Sequence, residues 1–166
     1  FGQVYGRAFG VVGMGEIGRA VARKAAGLGF RVICYSRSLV PGRRTPEGYD
    51  IYPLEDLLKH SDVVSFHTAL TPETHHLLNA DNIALMKQDA VVVNTSRGAV
   101  IDTQALAQAL SDGRLWGAGI DVFEEEPLDW DHPLMRAPHT VLSPHVAYYS
   151  EESGEELHRR SMQAAL

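Results

Sequence analysis

The sequence predicts an α/β protein with a doubly wound parallel sheet, built as a single domain. Three observations support this prediction: the chain has 166 residues, its apolar runs are rich in Val and Ile, and amphipathic stretches separate those runs. A chain of this length suits one hydrophobic core. Apolar runs without polar alternation are typical of strands buried on both faces of a parallel sheet. The predicted strands are Ala8–Val12, Arg31–Tyr35, Asp62–Phe66, Ala90–Val93, Ala118–Val122 and Thr140–Leu142.

The first helix is predicted over Glu16–Leu28, where Ile17, Val21, Ala25 and Leu28 share one face. Strands that alternate with helices imply right-handed crossovers, which place helices on both faces of the sheet. The polypeptide should therefore wind first along one face and then along the other.

Capping residues mark the ends of two later helices. Asp102 is expected to cap a helix over Thr103–Asp112, with Gly113 just beyond its end. Ser150 is expected to cap the last helix. The first turn of this helix carries two glutamates, whose negative charges interact favourably with the positive end of the helix dipole. The segment Leu39–Tyr52 contains two prolines and two glycines and is predicted to be a surface loop.

Composition limits the kinds of partner and compartment. The formal net charge of -6 and the pI of about 5.7 argue against nucleic acid and against an anionic membrane as partners. The single cysteine, Cys34, lies in an apolar run, so we expect an inert buried thiol and a reducing, cytoplasmic location. No apolar run has transmembrane length. The first residue is Phe1 rather than Met, so the chain is expected to be a fragment.

A glycine-rich segment with the sequence Gly-Met-Gly-Glu-Ile-Gly follows the first strand and opens the first helix. In this context such a segment predicts a dinucleotide-binding loop. Gly13 permits the tight turn, Gly15 lets the backbone approach a pyrophosphate, and Gly18 lets the helix pack close to the strand. The amides near Glu16 and Ile17 would point at the phosphates.

The end of the second strand bears on the choice of cofactor. An NAD-binding protein usually has an acidic residue there that binds the ribose 2′-hydroxyl. Here Ser36 stands in that place, and Arg37 and Ser38 follow it. A carboxylate would repel a 2′-phosphate, whereas a hydroxyl and a guanidinium would receive it, and Arg43 and Arg44 could add positive charge. We therefore expect NADP to be preferred over NAD; the alternative is that Arg37 is only solvated and that both cofactors bind.

Three chemically suited groups follow successive strands in the second half of the chain. They are Arg97, an acidic cluster over Glu124–Glu126, and His145. Reduction of a 2-oxo acid needs a hydride on the carbonyl carbon and a proton on its oxygen, and histidine is the natural proton donor near neutral pH. A carboxylate paired with that histidine stabilises its protonated form, and an arginine can bind the substrate carboxylate. No combination of the remaining histidines with Cys34 makes a convincing metal site, so no metal is predicted.

Together these segments resemble the D-2-hydroxyacid dehydrogenase family. The resemblance rests on the glycine loop, on VNTSRGAVID over residues 93–102, on GIDVFEEEP over 119–127 and on SPHVA over 143–147. The segment HTALTPET over 67–74 is similar to the family's segment on the adenine side of the cofactor. Because the resemblance covers nearly the whole chain, it identifies residues 1–166 as the family's dinucleotide-binding domain with a Rossmann fold.

The resemblance implies a role for individual residues. Arg97 would bind substrate, Glu126 would pair with the histidine, and His145 would be the acid/base. Asp121 would meet the nicotinamide carboxamide. The residues implied on the adenine side are His67, Thr68, Thr71 and Thr74, and those implied on the nicotinamide side are Thr95, Ser96, Arg97 and His145.

The resemblance also implies a homodimer and a second, substrate-binding domain that this chain does not contain, so the chain alone should turn over poorly. The expected reaction interconverts a D-2-hydroxy acid and its 2-oxo acid, of the glyoxylate or hydroxypyruvate, phosphoglycerate or lactate type. Ser36 departs from the family's usual Asp. The alternative is a nucleotide-sensing protein like the C-terminal binding protein corepressors, to which PHVAYYSEE over residues 144–152 is similar.

Overall fold

Seven parallel strands form one sheet in the order β3-β2-β1-β4-β5-β6-β7 in the computed structural model, which describes residues 3–164. Residues 1, 2, 165 and 166 of the predicted domain lie outside the described residues. The strands are β1 (Ala8–Val12), β2 (Arg31–Tyr35), β3 (Asp50–Ile51), β4 (Val63–Phe66), β5 (Val91–Asn94), β6 (Gly117–Ile120) and β7 (Thr140–Leu142). The six predicted strands are thus confirmed, with ends that differ by at most two residues.

Helices cover both faces of the sheet, as predicted. They are α1 (Glu16–Gly27), α2 (Leu54–His60), α3 (Ala80–Ile83), α4 (Thr103–Ser111) and α5 (Glu151–Ala164), with 3-10 turns at Gly98–Val100 and Pro133–Arg136. On one face α1 packs through Ala22 and Ala25 on Val11 and Val32. On the other face α2 and α4 contribute to a larger core that contains most of the buried leucines. Within residues 3–164 no helix has the length and apolarity needed to cross a bilayer.

The predicted inner face of α1 is confirmed at Ala25 but wrong at Ile17 and Leu28, which are exposed. The buried residues are Gly18, Ala22 and Ala25, whereas Ile17 is 69% exposed and Leu28 67% exposed. The glycine loop explains the difference, because it brings α1 so close to β1 that only small side chains fit between them. The large apolar residues are consequently on the outer side of the helix.

The segment Leu39–Tyr52 contains a strand that sequence patterning missed. Asp50 and Ile51 form β3, which pairs in parallel with Ile33 and Cys34 at the edge of the sheet. A strand of two residues has no periodicity to detect, because its position depends on pairing with β2. The rest of the segment is a loop, as predicted.

The predicted helix caps and the buried thiol are confirmed. Asp102 accepts the Ala105 amide at 2.9 Å at the start of α4. Ser150 accepts the Ser153 amide at 3.1 Å at the start of α5. Cys34 is fully buried, and its burial raises the pKa of the thiol to about 11. An un-ionised thiol at neutral pH is a poor nucleophile.

Candidate functional site

The candidate site lies along the carboxyl ends of the strands, because the predicted site residues all follow a strand or stand at its last position. In a parallel sheet these ends share one edge, where ligands bind. Strand β1 lies between β2 and β4, so the loops after these three strands meet at one cleft of about 300 Å³. The predicted cofactor residues that line this cleft are Gly13, Gly15, Ser36, Arg37, Ser38, His67, Thr68, Thr71 and Thr74.

The glycine loop has the geometry expected for each of its three glycines. Gly13 has a φ of 100°, which L side chains rarely adopt, and its amide donates to the Tyr35 carbonyl at 2.8 Å. A Cβ on Gly18 would collide with the Gly13 carbonyl oxygen, so glycine allows the close approach of α1 to β1. A Cβ on Gly15 would meet no atom of the described part of the chain within 4 Å. The backbone at Gly15 therefore borders open space at the mouth of the cleft.

Helix α1 begins at this loop without a side-chain cap. Gly15 is its N-cap residue, and no side chain among residues 3–164 caps the first amides. Glu16 and Ile17, both exposed, contribute two of these amides. Free amides at the positive end of a helix dipole form a binding site for an anionic group such as a phosphate.

Thr68 contributes a buried hydroxyl that lacks a partner. Its Oγ1 has no hydrogen bond within the part of the chain that the structure describes, and its Cγ2 lies 3.0 Å from where a Cβ of Gly13 would stand. An unpaired buried polar group costs about 1–3 kcal/mol, which a polar ligand group in the cleft would offset. The uncapped helix, the space beside Gly15 and this hydroxyl all fit a dinucleotide.

The end of β2 supplies hydroxyls and one guanidinium to the cleft. The Ser36 and Ser38 hydroxyl oxygens lie 3.4 Å apart. Arg37 is exposed, and its Nη1 lies 3.8 Å from Glu73 Oε2, which belongs to the loop after β4. Arg43 and Arg44, suggested as further positive charge, do not line this cleft, and Arg44 instead donates to Asp50 at 2.7 Å.

The loop after β4 forms the opposite wall. His67 Nε2 lies 2.9 Å from the Ser65 hydroxyl, and burial lowers the pKa of this histidine, so its neutral form is favoured. The Thr74 hydroxyl accepts the Thr71 amide at 2.7 Å and donates to the Ala69 carbonyl at 2.7 Å. These bonds fold the loop into a compact turn beside the glycine loop.

The loop after β5 presents Arg97. Asn94, buried at the end of β5, accepts the Ser96 amide and donates to the Arg97 carbonyl at 2.9 Å, which fixes the loop over Thr95–Arg97. The Arg97 guanidinium is exposed and donates to the Ser96 carbonyl at 2.6 Å. Gly98 lies so close to the backbone of the loop after β6 that a Cβ would collide with it. This contact holds the arginine loop against the loop that carries the acidic cluster.

His145 and Glu126 form a hydrogen-bonded pair. His145 Nδ1 lies 2.8 Å from Glu126 Oε2, and Glu126 Oε1 accepts the Phe123 amide at 3.0 Å. The hydrogen bond from His145 lowers the pKa of the Glu126 carboxyl, which favours its charged form. The pair lies in the wall of a second, mainly apolar cleft of about 630 Å³, which also includes Trp130 and Met135. His145 is partly exposed, so a small molecule can reach it.

Asp121 shapes the loop that carries His145. Its buried carboxylate accepts the Ser143 hydroxyl at 2.6 Å and the Val146 and Ala147 amides at 2.9 Å. Its carbonyl accepts the His145 amide at 2.7 Å. A carboxylate has about four acceptor positions, so these three donors satisfy most of them.

Glu124, the first acid of the cluster, makes different contacts from Glu126, the third. Glu124 Oε1 accepts the Thr103 amide at 2.9 Å and its hydroxyl at 2.6 Å, and Oε2 lies 2.8 Å from His76 Nε2. Burial raises the pKa of Glu124, but these hydrogen bonds outweigh burial and lower it below the ordinary value. Glu124 therefore ties the acidic loop to the start of α4 and to the turn at His76, which leaves Glu126 as the partner of His145.

The structure brings some predicted residues together and keeps others apart. His145, Glu126 and Asp121 form one connected unit, whereas the Arg97 guanidinium makes no hydrogen bond to that unit among residues 3–164. Asn94 and Ser143 were not predicted as site residues, and Glu124 was predicted only as part of the acidic cluster, without its contacts to Thr103 and His76. A polar residue at the end of an apolar strand was the available signal for Asn94.

No group of three or more His, Cys, Asp or Glu residues that could hold a metal ion occurs in the described residues.

Comparison with known proteins places the chain among dehydrogenases. The sequence profile described as "D-isomer specific 2-hydroxyacid dehydrogenase, NAD binding domain" matches residues 1–147. The glyoxylate reductase of Korarchaeum cryptofilum is 47% identical over 151 residues, which is 91% of this chain and 46% of the relative. This chain therefore spans about half the length of the curated relatives it matches.

Two solved structures share the fold at substantial identity. A D-lactate dehydrogenase from Aquifex aeolicus, complexed with NAD and lactic acid, is 32% identical with a TM-score of 0.85, over 96% of this chain and 52% of that one. An acyclic imino acid reductase in complex with NADPH and D-Arg is 32% identical with a TM-score of 0.87, over 97% of this chain and 50% of that one. The predicted Rossmann-type sheet is thus confirmed by similarity to structures of this class.

Proposed function

Because the chain belongs to the D-isomer specific 2-hydroxyacid dehydrogenase family through its NAD-binding domain, we propose that the whole protein transfers a hydride between a nicotinamide dinucleotide and a 2-oxo acid or D-2-hydroxy acid. The observation that carries this proposal is the 2.8 Å hydrogen bond between His145 and Glu126 at the same sheet edge as the glycine-loop cleft. A glyoxylate or hydroxypyruvate type of substrate is favoured, since the relative with 47% identity is a glyoxylate reductase.

Each residue of the proposed site has a distinct task. When bound, the reduced cofactor supplies the hydride that adds to the carbonyl carbon of the 2-oxo acid. His145 donates a proton from its imidazole to the carbonyl oxygen, and in the reverse direction it accepts that proton from the hydroxyl. Glu126 accepts the hydrogen bond from His145 Nδ1, which orients the ring and stabilises the imidazolium. Arg97 binds the substrate carboxylate through its guanidinium.

NADP is the favoured cofactor in this proposal. Support comes from Ser36 and Arg37, which stand where a carboxylate would otherwise select NAD, and both line the cleft. Among the similar structures one holds NADPH and four hold NAD, so the comparison does not decide between the cofactors. A homodimer, a cytoplasmic location and the absence of nucleic-acid and membrane partners stay predictions from the sequence.

Steady-state turnover by the full-length protein tests the proposal. We expect NADPH-dependent reduction of glyoxylate or hydroxypyruvate, with kcat reduced by about 10²–10⁴-fold in His145→Ala, the range for loss of a general acid. His60→Ala is the matched control, because His60 lies at the end of α2, where its ring hydrogen-bonds to the Asp56 carbonyl within the same helix and does not line the glycine-loop cleft formed by the described residues. Full activity in His145→Ala would overturn the proposed role. Nucleotide-dependent peptide binding without any turnover would favour the sensor function instead.

A further inference from the structure

The ion pair between Arg37 and Glu73 joins the two walls of the glycine-loop cleft. Arg37 follows β2 and Glu73 follows β4, and these strands lie on either side of β1. The guanidinium and the carboxylate approach to 3.8 Å, and both side chains are mostly exposed. The pair therefore spans the cleft above the end of β1, where the glycine loop begins.

Glu73 is held in place by its own loop. The Thr71 hydroxyl donates to Glu73 Oε2 at 2.8 Å. That hydrogen bond is the main cause that lowers the pKa of the Glu73 carboxyl, with a smaller contribution from the charge of Arg37. The side chain is consequently ionised at neutral pH, with the same oxygen directed to both Thr71 and Arg37.

Glu73 is also the one acid among the described residues that line the cleft, and Arg37 is the one guanidinium. Position 36 at the end of β2 is a serine, so the carboxylate nearest to Arg37 comes from the opposite wall. A carboxylate near a phosphate is repelled, whereas the same carboxylate can accept a hydrogen bond from a ribose hydroxyl.

We propose that Glu73 sets how strongly the protein discriminates NADPH from NADH. Its carboxylate pairs with the Arg37 guanidinium and repels a 2′-phosphate. The cleft therefore keeps affinity for NADH even though no acid follows β2 directly. Glu73 is thus a specificity-determining residue of the proposed cofactor site. This inference rests on the proposed function and adds to it a determinant outside the end of β2.

Calorimetric titration of the full-length protein with NADPH and with NADH tests this proposal through the ratio of the two dissociation constants. Glu73→Gln keeps the size and the Thr71 hydrogen bond but removes the charge. We expect Glu73→Gln to change the ratio of the two dissociation constants about threefold to tenfold in favour of NADPH binding. This is the size of effect that one exposed charge has on a phosphate that carries nearly two charges. The shift should shrink at 1 M salt, where the Debye length falls to about 3 Å.

Glu55→Gln is the matched control, because it makes the same charge change on α2 at a residue that does not line the cleft. An unchanged ratio in Glu73→Gln, or an equal shift in Glu55→Gln, overturns the role of Glu73 while the wild-type affinities keep the proposed cofactor site. If the wild-type protein binds neither dinucleotide, the proposed function fails and the Glu73 inference fails with it.

Discussion

The Asp121 carbonyl accepts the amide of His145 at 2.7 Å, while the Asp121 carboxylate accepts the two amides that follow His145. One aspartate at the end of β6 thereby holds three consecutive residues of the loop after β7. His145 has a φ of 54°, a left-handed conformation that costs energy in a residue with a side chain. The surrounding hydrogen bonds offset that cost and keep the imidazole directed at Glu126.

Replacement of Asp121 by asparagine should destabilise the fold in a pH-dependent way. Burial raises the pKa of Asp121, but hydrogen bonds from Ser143, Ala147 and Val146 outweigh it, and the net pKa is lowered. A lowered pKa contributes stability above the ordinary aspartate value of about 4, and this stability is lost as the pH falls through the folded-state pKa. Loss of the charged acceptor should cost about 1–3 kcal/mol at pH 7.

The measurement is the free energy of unfolding in urea for wild type and Asp121→Asn between pH 7 and pH 3. The other acids are common to both proteins, so their contributions cancel in the difference. The difference should be largest at pH 7 and should decrease below about pH 4. A difference that grows as the pH falls would contradict the assigned direction of the shift.

Removal of the Glu124 side chain should lower stability and leave dinucleotide affinity unchanged. Glu124→Ala leaves the Thr103 amide and hydroxyl without their acceptor and separates the acidic loop from His76, which should cost about 1–3 kcal/mol. Chemical denaturation gives the stability, and calorimetry gives the affinity. Glu125→Ala, at an exposed neighbour, should stay within about 0.5 kcal/mol of wild type. Equal stability of the two variants would refute the anchoring role of Glu124.

Addition of a methyl group at Gly98 should destabilise the protein. A Cβ there would overlap the backbone of Phe123 and Glu124, which cannot move aside as a flexible side chain would. We expect Gly98→Ala to lose about 1–3 kcal/mol, the range for overpacking. Gly154→Ala, where a Cβ in α5 meets no atom of residues 3–164 within 4 Å, should gain up to about 1 kcal/mol. Thermal unfolding of both variants tests this close contact between the two loops, and an unchanged unfolding temperature in Gly98→Ala would contradict it.

The parts of this protein that follow from sequence are those set by local pattern. The buried strands, the glycine loop and the caps at Asp102 and Ser150 depend on residues close together in the chain, and all were predicted. Strand β3 was missed, because Asp50 and Ile51 are a strand only through their pairing with β2. The inner face of α1 was assigned to large apolar residues, because hydrophobicity does not report how closely a helix approaches its sheet.

Sequence patterns predicted the residue types of the candidate site more fully than the hydrogen bonds and ion pairs between them. Motif resemblance singled out Glu126 and His145, which the structure joins by a hydrogen bond. The connections of Glu124 were not predictable, since its partner Thr103 lies 21 residues away on another element. The same is true of Glu73, whose partner Arg37 follows a different strand. Side-chain contacts between loops depend on the tertiary fold, which local patterns do not encode.

The NADPH affinity of Gly15→Ala, measured beside that of Gly27→Ala, shows whether the glycine-loop cleft binds a dinucleotide. A Cβ at either position has no neighbour within 4 Å among the residues that the structure describes, so neither change should strain the protein. If the space beside Gly15 receives a dinucleotide, Gly15→Ala should bind NADPH about fivefold to 150-fold more weakly, because an added methyl group in a filled site costs about 1–3 kcal/mol. Gly27→Ala should bind like wild type. Wild-type affinity in Gly15→Ala, with both variants folded, would contradict the assignment of this cleft as the dinucleotide site.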